Sequence, residues 1–265
     1  MQFFPIHTRL IKPEEDYLEI IFEAMKTQSL TFEDGDILIL SEKVVATSEG
    51  RIVNLNEVKV SARAKELAKK YYVDERTVEL VLQEADEVLS GVPRILLTLK
   101  NNMLMPNAGI DHSNAPANHV ILLPKDPWNS AEKARSKIMK RFGKRIGVLI
   151  MDSRVMPMRM GTIGLALGVA GFEPMEDIRG RNDLYGKMLL VTLRAVADDL
   201  ASAAQLVMGE ANESNPAILV RGAPVMMTDR PIKRDSMYIP PDECLYIRGF
   251  ERWNWGKKER NKKMP

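Results

Sequence analysis

The sequence predicts a protein of mixed α and β structure, because two kinds of apolar periodicity alternate along its 265 residues. Segments with apolar residues at helical spacing are interspersed with short apolar runs that turn residues delimit. Hydrophobic residues make up 45% of the chain and charged residues 28%, which is typical of a globular protein and excludes a disordered one. A chain of this length can bury a large core, in one large domain or two small ones.

The first half of the chain alternates between predicted helices and strands. Apolar residues such as Ile20, Ile21 and Ala24 recur at helical spacing, and Asp74 is a candidate N-cap for a later helix. The predicted helices cover 14–28, 61–70 and 74–89, and the predicted strands cover 36–41, 94–99 and 119–123.

The second half contains the clearest core strand, RIGVLIM at 145–151. Before it, Asn129 or Ser130 is expected to cap a helix that runs to about Phe142 and ends at Gly143. A small-residue segment at 161–171, an alanine-rich helix at the end of 187–209, a last short strand at 217–220 and irregular structure from 228 onward complete the pattern.

Charge is distributed unevenly along the chain. There are 38 Lys and Arg against 36 Asp and Glu, a formal net charge of +2. Residues 251–265 carry six cations and two anions, a net +4, so residues 1–250 sum to −2. Nucleic-acid binding is therefore not expected of the body. The tail with Trp253 and Trp255 is the one region that could contact RNA or an acidic partner, but a solvated tail with the tryptophans packed on the body is the favoured interpretation. We expect a main domain over 1–227, either one unit or two interleaved subdomains, and an irregular extension over 228–265 with a basic tail.

The cellular compartment of the protein is indicated by features that the sequence lacks. Cys244 is the single cysteine, so no disulfide framework can form within the chain. No apolar run approaches the ~18 residues of a membrane span, and the first ten residues lack a signal-peptide pattern. The sequence therefore predicts a cytoplasmic protein without a membrane partner.

Three polar clusters are candidate functional sites. In the first cluster, small and polar residues surround Asp111. In the second, Asp152 and Ser153 directly follow the predicted core strand. In the third, Glu210 lies in a polar loop after the alanine-rich helix. An acid at the carboxyl end of a buried strand is typical of ligand sites. Hard oxygen ligands suit Mg²⁺ or Mn²⁺, so one hypothesis is that these carboxylates converge on metal. Turn and capping roles for the same residues are the alternative.

Common catalytic signatures are absent. There is no GxxxxGK[ST] phosphate loop, no GxGxxG after a strand, no HExxH and no GxSxG. Without a phosphate loop, a nucleotide would need metal ions to neutralise its phosphates.

The sequence resembles the coenzyme F420-0:L-glutamate ligase family from roughly Pro5 to Pro224. Several blocks occur in the family's order, which is far more specific than any one motif. They are EGR at 49–51, NAGIDHSN at 107–114, SAEK at 130–133, GKRIGVLIMDS at 143–153, RGRNDLYGK at 179–187, VADDLASAAQLVMGE at 196–210 and ILVRG at 218–222.

The resemblance implies an α+β fold of mixed sheets and packed helices that forms an intertwined homodimer. It implies an amide-forming ligase that uses GTP and divalent metal, Mg²⁺ or Mn²⁺ at two sites. Such an enzyme joins L-glutamate to coenzyme F420-0 through an acyl phosphate and then adds γ-linked glutamates.

The resemblance also implies roles for individual residues. Asp111 and Asp152 match ligands of one metal, and Ser153 and Glu210 match ligands of a second. Arg159 is expected to contact a substrate carboxylate or phosphate, which makes Asp111, Asp152 and Arg159 the expected catalytic residues. The expected nucleotide contacts are Ser41, Lys43, Asn114, Glu210, Ala211, Asn212 and Glu213.

Two departures from the family pattern leave the acceptor open. Thr47 replaces a second lysine, and residues 154–160 lack the family's glycine and aromatic residue, with Arg154 as a candidate replacement for the missing charge. One alternative is therefore a paralogous ligase that adds glutamate or another amino acid to a different acceptor. Another is a non-catalytic protein that binds nucleotide or metal.

Overall fold

The computed structural model describes residues 1–251 and shows an α+β protein, as the sequence predicts. Its strands are β1 (Gln2–Ile6), β2 (Ile37–Ser41), β3 (Ile52–Asn54), β4 (Glu87–Val92), β5 (Ile95–Lys100), β6 (Met103–Pro106), β7 (His119–Ile121), β8 (Gly147–Val155), β9 (Thr162–Ala170), β10 (Glu176–Asp177), β11 (Leu193–Arg194) and β12 (Ala217–Arg221). Its α-helices are α1 (Tyr17–Thr27), α2 (Glu42–Ser48), α3 (Ala62–Tyr71), α4 (Glu75–Glu84), α5 (Pro127–Phe142), α6 (Val196–Met208) and α7 (Leu245–Glu251). No helix among these residues is long and apolar enough to cross a membrane. The predictions for Trp253, Trp255 and the basic tail concern residues outside the described range.

A five-stranded sheet in the order β1-β12-β2-β8-β9 forms the centre of the protein. Strands β2 and β8 run parallel, and the other neighbouring strands run antiparallel. Leu38 and Leu40 of β2 belong to the core with α1 and α5, whereas Ile37 and Ile39 belong to the core with α6. Because successive strand residues point to opposite faces, the sheet is the middle of three layers.

The small-residue segment at 161–171 forms the edge strand β9. A Cβ atom on Gly164 would collide with the backbone of Ala201 in α6. One on Gly168 would collide with the backbone of Pro127 in α5. Glycine at these positions lets a helix approach each face of the strand closely.

A second group of elements packs beside the central sheet. Strands β4, β5 and β6 form an antiparallel sheet, and β3 pairs with β7. Leu67 of α3, Val81 of α4 and Leu96 of β5 share one buried cluster. The opposite side of β5 leaves Ile95 and Leu97 exposed.

Two predicted helix boundaries are wrong. Helix α4 ends at Glu84 rather than 89, because Glu87 and Val88 pair with β5. Asp126, rather than Asn129 or Ser130, caps α5, and its side chain accepts a hydrogen bond from the backbone of Asn129 at 3.1 Å. Its end at Gly143, in the left-handed conformation, is as predicted.

Strand β8 is longer than the apolar run suggests. Asp152 and Ser153 pair with Leu165 and Gly164 of β9, so they lie inside the strand and not in a loop after it. The pattern changes from apolar to polar there because β8 passes from the core to the edge of a cavity.

Strands β1 and β6 and helix α2 were not predicted. Pro5 lies in β1, which is tolerated because β1 is an edge strand of the sheet. Helix α2 has only seven residues, too few for a helical repeat to show in the sequence.

The region after Thr228 is not wholly irregular, because α7 lies within it. This region is attached to the body through Asp229. Its carboxylate lies 2.5 Å from Arg135 Nη2 and 2.9 Å from Arg145 Nε.

Candidate active site

The carboxyl ends of the parallel strands β2 and β8 lie side by side, with Ser41 in register with Met151. The next residues along the two strands, Glu42 and Asp152, therefore reach the same edge of the sheet. A cavity of about 290 Å³ opens at this edge. Its wall consists of the N-terminal segment 8–11, the start of α2, the end of β8 and the loop after α6.

Lys43 and Asp111 form an ion pair beside the cavity. Lys43 Nζ lies 2.6 Å from Asp111 Oδ2 and donates a hydrogen bond to Ser113 Oγ at 2.8 Å. Burial opposes ionisation of Asp111, but the hydrogen bonds from Lys43 and Ser113 outweigh it and lower the pKa of this carboxyl. Asp111 is therefore held as a carboxylate next to a cation on the cavity wall.

Asp152 is largely buried at the end of β8. Burial raises the pKa of its carboxyl, and the charge of Arg154 opposes that rise. Arg154 Nε lies 3.4 Å from Asp152 Oδ2, and Arg154 Nη1 donates to the carbonyl of Leu104 in β6 at 3.2 Å. The compensation of Asp152 is therefore weaker than that of Asp111.

Glu42 is a site residue that the sequence analysis missed. It is buried on the cavity wall, and its carboxylate accepts a hydrogen bond from Ser41 Oγ at 3.2 Å. Burial, together with the charge of Asp152, raises the pKa of Glu42 to about 8. Its place at the end of a buried strand, next to Ser41 and Lys43, is the sequence signal that could have identified it.

The loop after α6 closes the other side of the cavity. Gly209 has a φ of 81°, and a Cβ there would collide with the side chain of Glu213. That side chain accepts a hydrogen bond from the backbone of Ala211 at 2.8 Å, and Asn114 Nδ2 donates to the Ala211 carbonyl at 3.2 Å. Glu210 accepts a hydrogen bond from Gln205 Nε2.

The N-terminal segment is a second part of the wall that sequence reasoning missed. Thr8 is anchored to the loop after α6, since its backbone N–H donates to the Ser214 carbonyl at 3.0 Å. Arg9 follows on the cavity wall and pairs with Glu15 at 2.8 Å. This segment adds a cation to the cavity that no motif indicated.

The structure brings most of the expected site residues together. Ser41, Lys43, Asn114, Asp152, Ser153, Glu210, Ala211, Asn212 and Glu213 all line the cavity. Asp111 joins them through its ion pair with Lys43. Thr47 also lines the wall. Arg159 lies elsewhere, as an exposed residue of the turn between β8 and β9 that is outside the cavity wall.

The expected metal ligands do not form an open cluster. Within residues 1–251, no three His, Cys, Asp or Glu side chains lie close enough together to hold a metal ion. Asp111, Asp152 and Glu210 are each engaged by a side chain of the protein instead, namely Lys43, Arg154 and Gln205.

Comparison with known proteins decides the family. The family model described as F420-0:Gamma-glutamyl ligase matches residues 5–222. This chain belongs to the F420-0:gamma-glutamyl ligase family. The match begins in β1 and ends just after β12, so it covers the central sheet and every wall of the cavity.

Curated relatives are similar in sequence to this chain over most of their own length. A coenzyme F420:L-glutamate ligase of Methanopyrus kandleri is 40% identical over 81% of this chain and 83% of its own. That of Archaeoglobus fulgidus is 41% identical over 84% and 88%. That of Methanocaldococcus jannaschii is 42% identical over 73% and 78%. The chain is accordingly an amide-forming ligase by class.

Proposed function

We propose that this protein is a GTP- and divalent-metal-dependent ligase. It joins L-glutamate to the carboxylate of coenzyme F420-0 and then extends the product through γ-linked glutamates. The observation that carries the proposal is one cavity in which the family's polar blocks meet, at the carboxyl ends of β2 and β8. The relatives' shared name, coenzyme F420:L-glutamate ligase, supplies the substrates.

The reaction is an activation followed by a displacement. An oxygen of the acceptor carboxylate attacks the terminal phosphorus of GTP, and GDP leaves. The amine of L-glutamate then attacks the acyl carbon, phosphate leaves with the bonding electrons, and the amine loses its proton. A carboxylate is a poor electrophile, so phosphorylation is what makes the amide bond accessible, and no enzyme nucleophile is needed.

The donor set of the site fits divalent cations. Asp111, Asp152 and Glu210 supply carboxylate oxygens and Ser153 a hydroxyl, the hard ligands that Mg²⁺ and Mn²⁺ prefer. When bound, the cations would neutralise charge on the phosphate oxygens. The buried carboxyls of Asp152 and Glu42 face the same cavity and are incompletely compensated by the protein, which favours a cation there.

The protein's own residues would position the nucleotide. Lys43 and Arg9 are cations on the cavity wall that suit phosphate oxygens. The loop 210–216 and Asn114 form the opposite wall, where the hydrogen bond between Asn114 and Ala211 fixes the shape of the loop. The acceptor and L-glutamate would then approach from the side of Asp152.

We also propose a homodimer, because two exposed apolar surfaces lie outside the cavity. In the segment 179–194, Leu184, Tyr185 and Val191 are 102%, 90% and 85% exposed. On the sheet of β4 to β6, Ile95 and Leu97 are exposed on one face. Apolar surfaces of this kind mark protein–protein contacts. Sedimentation of the wild type should give a dimer, and the double variant Leu184→Glu/Val191→Glu should give a monomer.

A second candidate is a ligase with the same chemistry and another acceptor. The turn between β8 and β9 favours it. Met158 and Met160 are exposed there, and the turn lacks the glycine and the aromatic residue that the family commonly has. A turn of different chemistry at the end of β8 would select a different acceptor.

One assay separates these functions. Full-length protein is incubated with GTP, Mg²⁺ or Mn²⁺, L-glutamate and F420-0, and products are measured by mass spectrometry. The proposed function predicts a product heavier by one glutamyl residue together with release of GDP. GDP and glutamate incorporation that appear only with another acceptor would favour the second candidate. Intact GTP under all conditions would contradict both.

A further inference from the structure

Arg154 is a buried cation beside the candidate metal site, and the proposed function so far gives it no role. Resting on that function, we infer that Arg154 is a positioning residue with two effects. It holds Asp152 in place before any cation binds, and it keeps the affinity of the site for a free divalent cation low. Cation and nucleotide then bind cooperatively.

The guanidinium of Arg154 is enclosed and incompletely paired. Its side chain is 3% exposed, its Nε lies 3.4 Å from Asp152 Oδ2, and its Nη1 donates to the Leu104 carbonyl at 3.2 Å. Its Nη2 is the one buried side-chain nitrogen or oxygen in the described part of the chain that lacks a hydrogen-bond partner. A buried polar group without a hydrogen-bond partner calls for an explanation, which a catalytic role or a bound ion or water can supply.

The anchor on Leu104 explains why Arg154 stays near Asp152. Leu104 lies in β6, outside the central sheet, so the guanidinium is held between two packed units. Lys43 differs, because its side chain is 23% exposed on the cavity wall and can turn toward a phosphate. Arg154 therefore acts as a fixed counter-charge and Lys43 as a movable one.

The same arrangement recurs at the other expected ligands. Lys43 engages Asp111, and Gln205 engages Glu210. Each carboxylate that would hold a cation thus already contacts a donor of the protein. Among residues 1–251, no three acidic, His or Cys side chains form an open cluster for a metal ion.

Electrostatics then links the cation to the nucleotide. A fixed positive charge beside Asp152 repels a free divalent cation, and the repulsion is strong because the site is largely buried. The negative charge of a bound polyphosphate offsets the positive charges of both Arg154 and the cation. Nucleotide and cation therefore raise each other's affinity by the same factor, as thermodynamic linkage requires.

The test measures binding of Mn²⁺ alone to the full-length protein, by the electron paramagnetic resonance signal of free Mn²⁺. The titration is repeated with a non-hydrolysable GTP analogue. For the wild type, we expect weak binding of Mn²⁺ alone and at least about tenfold tighter binding with the analogue. For Arg154→Met, we expect at least about tenfold tighter binding of Mn²⁺ alone, and so a smaller effect of the analogue.

Three further variants make the result specific. Arg154→Lys keeps the charge and should behave like the wild type. Arg135→Met removes another buried guanidinium, one that pairs with Asp229 outside the cavity wall, and should leave Mn²⁺ binding unchanged. Asp152→Asn combined with Arg154→Met should lose the gain. If Arg154→Met alone does not fold, Arg154→Gln and a Mn²⁺-dependent rise in its melting temperature take its place.

The inference is overturned if a folded Arg154→Met or Arg154→Gln binds Mn²⁺ alone no more tightly than the wild type. It is also overturned if Arg135→Met gives the same gain. Wild type that binds no Mn²⁺ even with the analogue contradicts the proposed function instead. In that case, the appearance of Mn²⁺ binding in the Arg154 variants still decides the inference.

Discussion

Two clusters of charged residues in this protein use the same chemistry with opposite results. Glu84 at the end of α4 pairs with Arg51 Nη2 at 2.8 Å and with Lys100 Nζ. Burial opposes its ionisation, but the two cations outweigh burial and lower the pKa of Glu84. At the cavity, burial outweighs the nearby cations and raises the pKa of both Asp152 and Glu42.

The difference separates a structural cluster from a functional one. The Glu84 cluster is complete without any ligand. Lys100 links α4 to β5, and Arg51 links α4 to the chain after α2 and donates to the Leu123 carbonyl after β7 at 3.1 Å. The cavity cluster leaves two buried carboxyls and one guanidinium nitrogen incompletely compensated. Incomplete compensation in a cleft indicates a binding or catalytic site, whereas a complete ion pair indicates architecture.

The largest effect is expected at the cavity. Asp152→Asn should lower the rate of glutamate incorporation by about 10²–10³-fold, because it removes a carboxylate that would hold the cation that neutralises the transferred phosphate. Product formation by mass spectrometry measures it, and circular dichroism checks that the variant is folded. A variant with near-normal activity would place Asp152 with the structural residues.

Breaking the structural cluster should affect stability and spare activity. Glu84→Gln should lower the free energy of unfolding by about 2–3 kcal/mol, somewhat less than for a fully buried pair because Glu84 is partly exposed. Urea denaturation measures this loss, and activity per folded molecule should not change.

The matched control for that variant is Glu66→Gln. It breaks an exposed pair with Arg63 on α3 and should cost at most about 0.5 kcal/mol. Equal losses in the two variants would contradict the distinction drawn from burial.

A change in the pH dependence of stability is expected at Glu42. A carboxyl whose pKa is raised from 4.5 to about 8 on folding stabilises the protein at low pH, and this contribution is lost as the pH rises between those values. Glu42→Gln removes the titration, so its free energy of unfolding should fall less than that of the wild type from pH 5 to pH 8.5. Urea denaturation of both proteins at both pH values measures it. An equal change in the free energy of unfolding between the two pH values in variant and wild type would contradict the raised pKa.

Much of the fold follows from local patterns in the sequence. The apolar run of β8, the helical spacing in α1 and the left-handed Gly143 after α5 were all predictable, because burial periodicity and helix ends are written in neighbouring residues. Strand β1 was not, because Pro5 argues against a strand, and helix α2 was not, because seven residues are too few for a helical repeat.

The candidate site divides in the same way. The polar blocks around Asp111, Asp152 and Glu210 could be identified because several family segments occur in order. Glu42 was missed although its place after a buried strand, between Ser41 and Lys43, was a usable signal. Arg9 could not be identified, because an arginine near a strand resembles any surface charge until its neighbours are known. The contacts of Lys43, Arg154 and Gln205 with these carboxylates could not be predicted either, because only the folded chain brings each pair of side chains together.

By itself, the sequence determined the α+β class, the family and the residue types of the site, because these depend on composition, local periodicity and the order of motifs. Only the tertiary structure decided which carboxylates are compensated. Charge compensation depends on distances of a few ångströms and on exclusion of water. Both arise when the parallel pairing of β2 and β8 brings residues 41–43 and 152–154 to one edge of the sheet.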